Sequence, residues 1–197
     1  MNKLIVTIMA LVGVLVVPAI ADPNQPKVKE VNKPIFDIYL GEPIGKVKER
    51  FTLSFYSDMP GAEGVQKMGG LQKIGSFYKE GKISITTCVP LGELVEMIQK
   101  MFDDKTEDNY KSLKESLQKN YPDTTWVEQK YNVRDGGSIV KRFFFGIPRI
   151  DGVEVCVGLM WEDFVKKSLY LTYDYKSIGD YSREEIIRRK AEKNKDL

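Results

Sequence analysis

The chain has 197 residues, with 30 basic and 28 acidic side chains, a formal net charge of +2, two cysteines and no histidine. A near-neutral balance argues against general nucleic-acid binding, which needs a clear basic surplus. The lack of histidine excludes Ser-His-Asp and Cys-His catalysis within the chain, and His-based zinc and copper sites, because imidazole is the usual general base near neutral pH and the commonest metal ligand.

Lys3 carries the only side-chain charge of residues 1–21. From Leu4 to Val17 every residue is apolar except Thr7 and Gly13, and Pro18 precedes Ala19-Ile20-Ala21. The apolar run is shorter than the roughly 20 residues a spanning helix needs. A basic start, an apolar stretch and a small-x-small site predict a signal peptide over 1–21, cleaved after Ala21. The mature chain then starts at Asp22 and keeps 176 of the 197 residues. No cysteine near the cleavage site could carry a lipid anchor, and no Asn-x-Ser/Thr sequon occurs. The expected location is periplasmic or secreted, with the membrane met only transiently, through the signal peptide.

Residues 22–34 contain Pro23, Pro26 and Pro34 among polar residues and predict an extended, unstructured leader. A first α+β unit is expected over 35–90. It opens with a short strand, Phe36–Leu40, and a helix entered through Gly41-Glu42-Pro43 with Ile44, Val47 and Phe51 on one face. Thr52–Met59 reads as a strand. Pro60–Gly70, with four glycines, lacks the spacing of a phosphate-binding loop and reads as a surface loop. Leu71–Tyr78 and Lys82–Val89 read as a hairpin turning at Glu80-Gly81.

A second unit is expected over 91–180. Leu91, Leu94, Val95, Ile98, Met101 and Phe102 recur at helical spacing and predict an amphipathic helix, with Met97 and Met101 in its packing face. Asp104 with Glu107 resembles a capping box for another helix carrying Tyr110, Leu113, Leu117 and Tyr121, so the two should form a helical hairpin. Four strands follow as an antiparallel meander: Thr124–Asn132, Ser138–Ile147, Val153–Trp161 and Ser168–Tyr175. Their turns fall at Asp135-Gly136-Gly137, Asp151-Gly152 and Glu162–Lys167. Ser182 with Glu185 is a capping box for a charged C-terminal helix within 181–197, expected from Arg183 and solvated.

The meander is rich in aromatics. Phe143 and Phe145 should face one way and Phe144 the other, and Tyr170, Tyr173 and Tyr175 add amphipathic surface. Such residues build either a sheet core or a partner-binding face. Phe143, Phe144, Phe145, Tyr170, Tyr173 and Tyr175 are therefore the candidate interaction surface. Adjacent acids at Asp103-Asp104, Glu107-Asp108, Glu162-Asp163 and Glu184-Glu185 fall at turns or helix starts, where acids are expected on electrostatic grounds. No catalytic, cofactor or metal constellation is predicted. Cys88 and Cys156 lie on the less apolar sides of their strands, and export would place them where disulfides persist, so they are a candidate disulfide.

The phrase Gly41-Glu42-Pro43-Ile44-Gly45-Lys46-Val47 resembles the helix-opening phrase of small bacterial envelope proteins of the SmpA/BamE type. Two such units in tandem would be similar to the beta-lactamase inhibitory protein fold, with the likeness in element order covering Ile35 to Tyr175. The absent lipobox and the absence of a helix pair in the first unit depart from those patterns. The resemblance implies protein–protein contact through an open sheet face, without catalysis. The expectation is thus an exported α+β domain, with antiparallel sheet, that binds another macromolecule such as an envelope protein and no nucleic acid. A carboxylate-based hydrolase of envelope polymers and a carrier of an apolar ligand are the alternatives.

Overall fold

The structure, a computed structural model, describes residues 25–73, 82–134, 138–163 and 167–195. The expected signal peptide and the turns at Glu80-Gly81 and Asp135-Gly136-Gly137 lie outside them. The fold is α+β: a nine-stranded antiparallel sheet with three helices. In chain order the elements are α1 (Ile44–Arg50), β1 (Phe51–Asp58), β2 (Gln66–Lys73), β3 (Lys82–Cys88), β4 (Leu94–Met101) and α2 (Glu107–Asn120). β5 (Val127–Arg134), β6 (Ser138–Gly146), β7 (Arg149–Ile150), β8 (Val153–Asp163), β9 (Ser168–Tyr175) and α3 (Lys176–Lys193) follow. The strand order is β1-β2-β3-β4-β9-β8-β6-β5, with the two-residue β7 beside β8.

The strand registers define two faces. One carries Leu71, Ile83, Ile85, Ile98, Phe144, Val155, Val157, Leu159, Trp161, Leu169, Leu171 and Tyr173, all buried. This is the core face. α2 lays Tyr110 against Trp161, with ring centroids 6.3 Å apart, and Trp126 stacks on Phe144 at 4.8 Å. α1 contributes Ile44 and Val47. Pro43 is the N-cap of α1, in extended backbone at φ −65° and ψ 143°.

The leader is not wholly free. Val31 is fully buried and its N–H donates to the Leu40 carbonyl at 2.9 Å, while the Lys29 N–H donates to the Tyr175 hydroxyl at 3.1 Å. The expected strand Phe36–Leu40 is instead a tight turn, with Phe36 and Asp37 at positive φ and Ile35 bridging to Ile38. Alternation of Ile38 and Leu40 reflects burial, not ladder pairing.

Three further expectations are corrected. First, Gly69 and Gly70 lie inside β2, not in a loop, paired with Ile85 and Ser84 of β3. A Cβ on Gly70 would meet Ser54 Oγ at 2.5 Å and the Phe55 ring at 2.7 Å, so a glycine lets those side chains cross the strand. Second, the helix over Leu91–Phe102 does not exist. Gly92 and Glu93, both at positive φ, turn the chain into β4, which sits at the sheet centre between β3 and β9. A bulge opposite Thr86/Thr87 inserts Glu96. Val95 and Ile98 then share the core face though three residues apart, which imitates a helical period. The helical hairpin therefore reduces to α2. That helix is capped by Thr106, whose Oγ1 accepts from the Asn109 N–H at 3.2 Å, with Asp104 accepting from the Thr106 N–H.

Third, the C-terminal helix begins at Lys176, seven residues before the expected Arg183. Ser182 is not a cap: it is buried in mid-helix. α3 packs on β3, β4, β8 and β9 through Ile178, Gly179, Ser182 and Glu185, so it is not merely solvated. The four-stranded meander of the C-terminal half stands as expected, with β7 added. Asp151 (φ 52°) and Gly152 (φ 81°) form the type I′ turn between β7 and β8.

Candidate functional site

The second sheet face is covered unevenly. α3 crosses one end, over Cys88 of β3, Glu96 of β4, Asp174 of β9 and Cys156 of β8. At the other end no helix of the described residues packs on the side chains. There Phe55, Met68, Ser84, Gln99, Met101 and Tyr170 line a cavity of about 730 Å³. The strand registers continue this surface through Met160 to Phe143, Phe145, Val127 and Tyr131. Phe55, Val127 and Tyr131 are exposed by 47, 42 and 51%.

The chemistry of this surface follows from its residues. Among the described residues Lys82 is the one charged side chain lining the cavity, and Lys141 and Glu162, on the same face, pair at 2.8 Å. The remainder is aromatic, thioether, hydroxyl and amide, with the aliphatic Leu71 of β2 and Ile83 of β3 also lining the cavity. That composition, rich in Tyr, Phe and Met and poor in charge, is typical of the centre of a protein interface. Phe143 and Phe145 stack at 5.1 Å, and the Phe143 ring lies over Gly158, where a Cβ would come within 3.2 Å of it. The rings are thereby ordered before any partner arrives.

The candidate aromatic set divides between the faces. Phe143, Phe145 and Tyr170 lie on the open face, half-buried. Phe144, Tyr173 and Tyr175 are buried on the core side at 1, 8 and 3% exposure, so they are not interaction surface. Burial and the neighbouring Tyr121 hydroxyl push the Tyr173 phenol well above its ordinary range. Phe55, Met68, Met97 and Met101 escaped sequence reasoning. The helical reading places the two methionines of β4 in a packing face, Met68 lies beside glycines that imitate a loop, and Phe55 stands in the strand expected over Thr52–Met59, to which alternation assigns no partner-facing side.

Cys88 and Cys156 are both free thiols, which corrects the candidate disulfide. They do share the second face, but β4 and β9 separate their strands. Three strand spacings amount to roughly 14 Å, against the 4.4–6.8 Å between Cα atoms that a disulfide requires. Burial raises the pKa of both thiols.

The most perturbed acid is one no motif announced. Glu96, 4% exposed, has its pKa pushed up to about 7, chiefly by burial. Its carboxylate accepts from Gln66 Nε2 at 2.6 Å and Ser182 Oγ at 2.7 Å. Asp174, also raised by burial, adds repulsion. Both acids lie beneath α3, not across an open cleft. Three of the acidic pairs of the sequence have basic partners at the surface: Glu107 with Arg142 at 2.8 Å, Glu162 with Lys141, and Glu185 with Arg188 and Arg189. Among the described residues no group of three or more Cys, Asp and Glu side chains could hold a metal ion, and no helix is long and apolar enough to cross a membrane. No family model matches this chain, and neither a curated protein nor a solved structure matches it.

Proposed function

We propose that this chain is a non-enzymatic binding protein that seats another protein on the open half of its second sheet face. The observation that carries the reading is the surface from Phe55 to Tyr131. It is long, neutral, rich in aromatic and methionine side chains, concave at the cavity of about 730 Å³, and free of helical cover among the described residues. The order helix-then-four-strands occurs twice, as α1 with β1–β4 and as α2 with β5, β6, β8 and β9. The last strand of each set pairs antiparallel with the other, β4 with β9, and the outer strands run outward in mirrored order. This arrangement supports two tandem related units, each with one helix where the beta-lactamase inhibitory protein pattern has a pair. The N-terminal signal pattern supports export, with the periplasm or the exterior as the place of binding.

The test is capture from the envelope fraction of the source cell by the mature chain from Asp22. Tyr170→Glu and Met101→Glu place a charge in the cavity, whereas Lys130→Glu lies on the other side of edge strand β5. A partner protein retained by wild type and Lys130→Glu but lost by both cavity variants supports the reading. Capture that ignores the cavity variants overturns it. A small apolar molecule found in native mass spectra of the protein, lost in the same variants, would favour the carrier alternative, since the cavity has the volume of a small-ligand site. N-terminal sequencing of exported protein that returns Met1 would overturn the processing at Ala21.

A further inference from the structure

α3 lies on the same face as the proposed binding surface, and its seat is unusual. Ile178, fully buried, anchors it next to the point where the chain leaves β9. Further along, the helix rests on polar groups. Ser182 donates to Glu96, and the backbone at Gly179 lies so close to Asp174 that a Cβ would sit 2.7 Å from Oδ1. The buried Glu185 carboxylate is held at 2.7–2.8 Å by Arg188 and Arg189 of its own helix. Thr86 Oγ1 and Asp174 Oδ1 are buried without a hydrogen-bond partner among the described residues. Such groups are satisfied more fully by water than by this seat.

The charged and titratable groups around Glu96 and Asp174 are Cys88 from β3, Cys156 from β8, and Lys176, Asp180, Arg183 and Glu185 from α3. Gln66 is what β2 contributes to Glu96. Arg183 is the nearest cation, and it is shared: it bonds Asp180 and stands 3.9 Å from Asp174. Asp180 also takes Lys176 at 2.7 Å, so three carboxylates under one helix share two cations and the docked state is short of positive charge. We propose that α3 is a proton-controlled strap: with a proton held at the Glu96–Asp174 pair it docks on the sheet, and when the proton leaves it lifts about its Lys176 end and lengthens the open face by Cys88, Leu94 and Cys156. This rests on reading that face as the binding surface.

The sign follows from linkage. An acid titrating near 7 when docked and in its ordinary range near 4.5 when open favours docking at low pH and loses that bias as pH rises. Between pH 6 and pH 8 the docking constant should fall by about tenfold.

Cys88, fully buried beneath α3, is the reporter. In full-length mature protein carrying Cys156→Ser, thiol labelling of Cys88 is timed at pH 6, 7 and 8 and compared at each pH with Cys156→Ser/Glu96→Gln. The ratio of the two rates cancels the ordinary rise of thiolate with pH. It should grow by about tenfold from pH 6 to pH 8. Tryptophan emission, which reads Trp126 and Trp161 packed on the opposite side of the sheet, should stay constant while it does. A ratio flat with pH overturns the strap, as does labelling that tracks tryptophan emission and so reports global unfolding. The measurement needs no partner. If the strap responds to pH but cavity variants leave capture unchanged, the regulation stands and the binding reading fails. If cavity variants abolish capture and the ratio stays flat, the reverse holds.

Discussion

Replacing Arg50 with methionine would strand a carboxylate in the protein interior. Glu42 is fully buried, and its two oxygens accept from Arg50 Nη2 at 2.6 and 2.7 Å. The Tyr39 N–H, at 2.8 Å, is its other hydrogen bond. The corner it occupies ties the start of α1 to the sheet: the Gly41 N–H donates to the Val95 carbonyl and the Val95 N–H donates to the Glu42 carbonyl, both at 2.8 Å. Methionine keeps an unbranched stem but removes both charge-assisted bonds and the guanidinium that lies over the Tyr39 ring, 5.6 Å from its centroid. Breaking a buried pair from one side costs about 3–5 kcal/mol, because the remaining charge is uncompensated. For a domain of this size that corresponds to a fall of roughly 10 °C in Tm. Arg50→Met, Glu42→Gln and the double variant are to be compared by urea unfolding at pH 7. The double variant should recover most of the loss, since no charge is then left buried. A loss below about 1 kcal/mol for Arg50→Met would refute the reasoning, because that is the worth of an ordinary exposed pair. So would a double variant no more stable than Arg50→Met.

Global stability should decline from pH 5 to pH 8 by up to about 3 kcal/mol through Glu96, whose raised pKa makes the folded state bind the extra proton in that window; urea midpoints across the range should flatten in Glu96→Gln. Leu159, fully buried in β8, should cost about 2–5 kcal/mol when changed to alanine, read by the same unfolding curves. Thr106→Ala removes the N-cap of α2 and should cost about 1 kcal/mol, while Thr106→Ser should cost far less. Because Cys88 and Cys156 are free, a reductant should leave Tm unchanged, and denatured, unreduced protein should show two reactive thiols per chain.

Where local rules were sufficient, the sequence could be read directly. The meander after Pro122 has clean period-two rows and, at Asp151-Gly152, a short turn with Gly at positive φ, so β6, β8 and β9 fall where alternation puts them. α1 and α2 were legible from their apolar stripes. Strand alternation puts Phe143 and Phe145 on one face and Phe144 on the other, as the registers have them, but cannot say which face is covered. Histidine-dependent chemistry was excluded by composition alone.

Tertiary structure decided the rest, and the reasons are physical. One bulged residue, Glu96, turned a period of two into an apparent period near 3.6, so β4 read as a helix until its neighbours β3 and β9 claimed its backbone hydrogen bonds. Gly69 and Gly70 read as loop because their role depends on the close approach of β1, the Tyr56 side chain at Gly69 and the Ser54 and Phe55 side chains at Gly70. The burial of Phe144, Tyr173 and Tyr175 depends on α2 and the N-terminal segment, which come from distant parts of the chain. The separation of Cys88 from Cys156 follows from β4 and β9 lying between their strands. The burial that raises the proton affinity of Glu96 lies beneath α3, which comes from the far end of the sequence. Alternation and turn chemistry are local, so the sequence by itself determined which segments could be strands and what they could not catalyse. Strand order, the covered face and the buried acid arise from contacts between residues remote in sequence, which no local pattern encodes.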